Sequence, residues 1–68
     1  MNIGIGFRIA RAMKDINQGP AAQGLGISAN YLSLIETGDR TPSMKLLTKA
    51  QTYYDVPMSL LLHEEDKK

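Results

Sequence analysis

The chain has 68 residues, of which 43% are hydrophobic and 22% charged, with a formal net charge of +1, no cysteine and a single histidine. Ordering it costs on the order of 100 kcal/mol of conformational entropy, which limits it to one small core and excludes a multi-domain enzyme with an interdomain cleft. Without cysteine there is no disulfide framework or thiolate metal site, His63 alone supplies neither imidazole catalysis nor a histidine metal centre, and Leu60-Leu61-Leu62 is far short of the roughly 18 residues of a membrane span.

Residues 3–15 combine two periods. Ile3 to Ile9 alternates apolar with small or polar residues, as a strand does, whereas Ile3, Phe7 and Ala10 follow helical spacing and residues 10–14 favour helix. A helix is expected, with Ile5, Ile9, Ala12 and Ile16 as a second apolar stripe and a frayed start at Gly4 and Gly6. A short helix follows over residues 18–25. Asn17 is its N-cap, free to accept from the N–H of Gly19 because Pro20 in the first turn offers none, and Gly26 is its stop. Ser28 caps the next helix, Ala29 to Glu36, ended by Thr37-Gly38. Leu32 and Ile35 share one of its faces; Asn30, Ser33 and Thr37 share another. Ser43 caps a fourth helix through Tyr54, with Leu47, Ala50 and Tyr54 toward the core and Lys45 and Lys49 on an outer face. Pro57 at a first helical position opens a last turn through Leu62.

This pattern predicts one domain over residues 1–62 and a charged tail over 63–68, in which His63 is exposed and Glu64-Glu65-Asp66 is solubilising. Up to His63 the chain carries six basic and four acidic residues, a balance of +2 that does not decide the partner by itself. The N-terminus lacks the basic start, apolar stretch and small-residue cleavage site of a secretory signal, so a cytoplasmic location is expected.

The informative object is the pair of short helices around Leu25-Gly26-Ile27-Ser28. Two helices joined by a short turn containing Gly form a helix-turn-helix. Ala22 must be small where they cross, Gly26 must reverse the chain, and Leu25, Leu32 and Ile35 must fill the angle. The outward side of the second helix is then free to enter a major groove.

At this point the chain resembles a known family, the phage-repressor and Cro-like helix-turn-helix domains, also called the XRE family. The resemblance rests on Asn17-Gln18, Ala22, Leu25 to Ser28, Tyr31-Leu32-Ser33, Ile35 to Gly38, Arg40 and Pro42-Ser43. Flanking helices match at Ile3-Gly4, Phe7, Arg11, Leu46-Leu47, Ala50, Val56 and Leu61-Leu62, so the match runs from about Ile3 to Leu62 without gaps.

The resemblance implies an all-α, compact five-helix bundle of the lambda-repressor-like type. Such a bundle binds double-stranded DNA, usually as a homodimer on a pseudo-palindromic operator, and regulates transcription, most commonly as a repressor. It implies that Gln18 holds a phosphate with Asn17 beside it, and that Ala29, Asn30, Ser33 and Leu34 face bases. Of these, Asn30 is able to make a bidentate contact to adenine, worth about 1–3 kcal/mol of discrimination, and the lack of a basic residue on helix 3 favours an A·T-rich half-site. Tyr31, Arg40, Thr41, Ser43 and Lys45 fall where phosphates are contacted. Arg11 and Glu36 occupy the positions of an internal ion pair, whose rupture costs about 3–5 kcal/mol when buried.

Three features depart from the family pattern: Gly19-Pro20 replaces an acidic pair, Ala21 replaces a larger apolar residue, and Gly24 sits inside helix 2, predicting local weakness there. Ile5, Ile9, Met58, Leu60 and Leu61 are the candidates for a dimer interface. No catalytic, cofactor-binding or metal-ligating set assembles, so a non-enzymatic protein without cofactor is expected. Two further readings stay open: a protein-interaction module, antitoxin-like or accessory, that keeps the fold without operator binding, and an oligomeric structural subunit using the Ile5/Ile9 stripe.

Overall fold

The computed structural model describes residues 2–63, which form α1 (Ile3–Met13), α2 (Gln18–Leu25), α3 (Ala29–Thr37), α4 (Met44–Tyr54) and α5 (Met58–Leu62). Among the described residues every regular element is a helix, so the fold is all-α. Of the expected 63–68 tail, residues 64–68 lie outside the described residues. His63 is half-buried rather than exposed, closing α5 in a left-handed conformation with φ 49°.

The start of α1 is not frayed. The Asn2 side-chain oxygen accepts from the Ile5 N–H at 3.2 Å, and both Gly4 and Gly6 are buried. Their poor helix propensity is overridden by close packing. A Cβ on Gly4 would stand 2.8 Å from the carbonyl oxygens of Ile35 and Glu36, and one on Gly6 would collide with the Leu61 carbonyl. The second protein-facing surface of α1 is therefore its glycine backbone, packed on α3 and α5, and not the Ile5/Ile9 stripe. Ile5 and Ile9 are half-buried, Ala12 is exposed, and Ile16 reaches the core from beyond the helix.

Local signals set the other boundaries. Ser28 Oγ accepts from the Tyr31 N–H at 3.0 Å and Ser43 Oγ from the Leu46 N–H at 3.2 Å, each satisfying a first-turn donor. Gly26 (φ 77°) and Gly38 (φ 93°) end α2 and α3 in the left-handed region. Asn17 differs from expectation, for its side chain makes no capping hydrogen bond. Pro20 removes the N–H three residues on that such a cap most often uses, and the Gly19 N–H does not replace it. Pro57 is the N-cap of α5 and not its first helical residue.

The principal packings form a closed ring, α1 on α3, α3 on α2, α2 on α4, α4 on α5 and α5 on α1. Its centre is filled by Phe7, Leu25, Leu32, Ile35, Tyr54 and Leu61, with Phe7 and Tyr54 edge to face at 6.3 Å and 86°. Leu61 is thus a core residue of its own chain, which removes it from the dimer-interface candidates. The Asn2 N–H donates to the Leu62 carbonyl at 2.9 Å and ties the start of α1 to the end of α5.

Candidate nucleic-acid interface

The geometry of α3 follows from what it buries. Leu32, Ile35 and Glu36, at i, i+3, i+4, face inward. The opposite edge carries Ala29 and Asn30, both exposed, and Ser33 and Leu34, both half-exposed. Tyr31 lies between these faces and packs its ring against the core margin.

Glu36 is the charged residue in the interior, 5% exposed, and it is fully engaged. Arg11 grips it from α1 with Nε donating to Oε2 at 2.8 Å and Nη2 to Oε1 at 3.0 Å, while Nη1 donates to the Ile16 carbonyl at 3.1 Å. Gln18 Nε2 donates to Oε1 from α2 at 3.1 Å. Fork-on-carboxylate geometry plus a third donor offsets the desolvation of the buried charge. The hydrogen bond to Glu36 holds the Arg11 guanidinium above even its ordinary high range, against the opposing effect of burial. One carboxylate thus joins α1, α2 and α3 at the end of α3 nearest Gly38.

This arrangement changes the expected part of Gln18. One of its two amide N–H groups is committed to Glu36, which leaves the second as its remaining side-chain donor. Residues 18 and 36 stand 18 positions apart on different helices, so no local window signals this bond. Asn17, uncapped and exposed, has its side chain available beside it.

The loop after α3 is pinned by its backbone. The N–H groups of Asp39 and Arg40 donate to the Leu34 carbonyl at 2.9 and 3.1 Å, and Thr37 Oγ1 donates to Asp39 Oδ2 at 2.8 Å. Held there, Arg40, Thr41, Ser43 and Lys45 are all exposed on the loop and the first turn of α4, with Pro42 buried beneath them. Arg11–Glu36 is the ion pair found among the described residues, and none of their carboxylates lies within ion-pair distance of Arg40 or Lys45.

Of the remaining interface candidates, Met58 and Leu60 are half-buried against the core. Ile5 and Ile9 line a shallow groove of about 370 Å³ with Arg8, Arg11 and Ala12. The most exposed large apolar side chains lie elsewhere: Met44 at 70%, Met13 at 58% and Tyr53 at 37%. No helix among the described residues is long and apolar enough to cross a membrane.

Two short helices meeting at a left-handed glycine, packed against three more, define a helix-turn-helix domain. The helix-turn-helix family model matches residues 7–61, and the chain belongs to that family in its XRE form. It is similar to the cryptic phage CTXphi transcriptional repressor RstR of Vibrio cholerae, with 29% identity over 60 residues that make up 88% of this chain and 54% of the repressor. The chain therefore spans about half the length of the curated relative it matches.

Proposed function

We propose that the protein is a sequence-specific, double-stranded-DNA-binding regulator of transcription that acts as a repressor. Two copies place their α3 helices in successive major grooves of a pseudo-palindromic operator. The observation that carries this reading is the division of α3 into a buried face locked by Glu36 and a solvent-facing edge that begins with Asn30. Family membership and the similarity to a phage repressor support it. In this reading Asn30 hydrogen-bonds adenine N6 and N7, Ala29 and Leu34 touch thymine methyls, and Ser33 lies between them. Phosphates are held by Asn17, the free amide N–H of Gln18, Thr41, Ser43, Arg40 and Lys45, while Tyr31 braces the helix from its packed side. Met58 and Leu60 on α5 are the favoured dimer contact, with the Ile5/Ile9 face as the other candidate.

Selection from random duplex, followed by anisotropy titrations, tests the proposal. The expected result is an A·T-rich half-site, with affinity that falls steeply as salt rises. Asn30→Ala is expected to lose about 1–3 kcal/mol of discrimination at one adenine and little at other positions. Binding that is absent at low salt, or that ignores both salt and sequence, would favour a protein-interaction module on the same fold.

A further inference from the structure

Gly24 costs α2 helix propensity at an exposed position, and neither the core nor the α3 edge explains it. The packing of α4 does. A Cβ at Gly24 would run into the Tyr53 ring, meeting its Cε1, Cζ and hydroxyl, so the aromatic ring occupies the space that any other side chain would take. One helical turn earlier on α4, Lys49 places its Nζ 3.0 Å from the position of a Cβ on Gly26, the residue that reverses the chain between α2 and α3. Lys49 and Tyr53, four apart, form one row on α4. That row lies across the last turn of α2 and the Gly26 turn, where an ammonium also meets the negative end of the helix dipole. Tyr53 is steadied in turn by an edge contact with Tyr54, their centroids 5.2 Å apart.

We propose that Tyr53, seated on Gly24 and flanked by Lys49, is a clasp that sets the angle at which the helix-turn-helix is presented. Tyr53 is a positioning residue for DNA binding without being a DNA contact. The inference rests on the function proposed above. α2 carries the Gln18 end toward phosphate and its other end feeds the turn into α3. A change in how its last turn sits on α4 therefore moves both ends of the candidate interface. The ring carbons Cε1 and Cζ come closest to Gly24, with the phenol oxygen behind them, so the ring carries most of the contact.

Four variants, Tyr53→Ala, Tyr53→Phe, Gly24→Ala and Lys49→Gln, test the clasp on the whole chain by duplex titration across a salt series, with melting curves alongside. Tyr53→Ala is expected to weaken duplex binding by the folded protein about fivefold to tenfold at an unchanged salt slope, and Tyr53→Phe to stay within about twofold of wild type. Gly24→Ala displaces the ring and is expected to lose affinity in the wild-type background but nothing further when added to Tyr53→Ala. Lys49→Gln is expected to leave the salt slope unchanged. Tyr53→Ala with a lower melting temperature but wild-type affinity would reduce the clasp to a structural contact. A slope that drops by about one for Lys49→Gln would make that lysine a phosphate contact instead. Additive losses for Gly24→Ala and Tyr53→Ala would overturn the contact itself. If wild-type protein shows no salt-dependent duplex binding, the functional reading and the positioning role both fail. The Gly24–Tyr53 contact is then still decided by whether the two substitutions couple in melting temperature.

Discussion

Among the described residues Glu36 and Tyr54 bury polar side-chain groups in this small core, and they do so under opposite conditions. Glu36 is met by three donors, so its charge stays inside at little net cost. Tyr54 is fully buried, yet its hydroxyl has no hydrogen-bond partner among the described residues, a state that costs about 1–3 kcal/mol. Burial pushes its pKa up to about 12, with the nearby charge of Glu36 adding to the shift and Arg11 opposing it. The folded state thus favours the neutral phenol more than the unfolded chain does, where ionisation begins near 10. The resulting stabilisation is fully present below about pH 10 and is lost as pH rises toward 12, by an amount on the order of 2–3 kcal/mol. Tyr54→Phe is expected to be as stable as wild type at pH 7 or up to about 1 kcal/mol more stable, and to lose less of its stability between pH 9 and 12. Denaturant midpoints across that range check both. A loss above about 1 kcal/mol at pH 7 would mean that the hydroxyl is satisfied in solution.

At the scale of the element, glycine has opposite meanings at Gly19 in α2 and Gly6 in α1. Nothing lies within 4 Å of a Cβ built on Gly19, so Gly19→Ala is expected to stabilise by about 0.5–1 kcal/mol through the lower entropy of the unfolded chain. Gly6→Ala must push α1 off the Leu61 carbonyl and is expected to cost about 1–3 kcal/mol or more despite the better propensity of alanine. Paired urea midpoints decide both signs. This contrast also marks where the sequence was legible. Helices α2 to α5 can be read almost to the residue because their caps and stops are local: Ser28 and Ser43 open helices, Gly26 and Gly38 close them, and the spacing of Leu47, Ala50 and Tyr54 names a buried face. What Gly4, Gly6 and Gly24 do depends on Ile35, Glu36, Leu61 and Tyr53, which no local window contains, so these positions read as weakness where the fold uses them as close contacts. The candidate site divides in the same way. The outward edge of α3 follows from its periodicity, whereas the bond from Gln18 to Glu36 joins two helices and is visible in the fold alone.

At the scale of the whole molecule, the limiting quantity is how much sequence one copy can read. In the proposed binding mode a nine-residue α3 would reach a handful of base pairs, a pattern far too common to mark one locus among the roughly 10⁶ or more competing sites of a genome. The two-fold arrangement proposed here answers that need, and charge makes it measurable. In the proposed mode each copy presents Arg40 and Lys45, both exposed, as its cations toward phosphate, the other proposed phosphate donors being neutral. Since each neutralised phosphate contributes about −0.9 to the slope of log affinity against log salt, one copy on a single half-site is expected to give a slope near −2. A duplex with two half-sites centred about 10 base pairs apart is expected to bind a pair with a slope near −4, because successive major grooves on one side of the helix repeat at that interval. Shifting the half-sites by about 5 base pairs turns them to opposite sides of the duplex, and the slope should fall back toward the single-copy value. Titrations over a spacing series, with sedimentation of the complexes to count copies, check this. A slope that stays near −2 at every spacing, with one chain per duplex, would show that the chain reads DNA as a monomer and that the half-buried Met58 and Leu60 form no dimer contact on DNA.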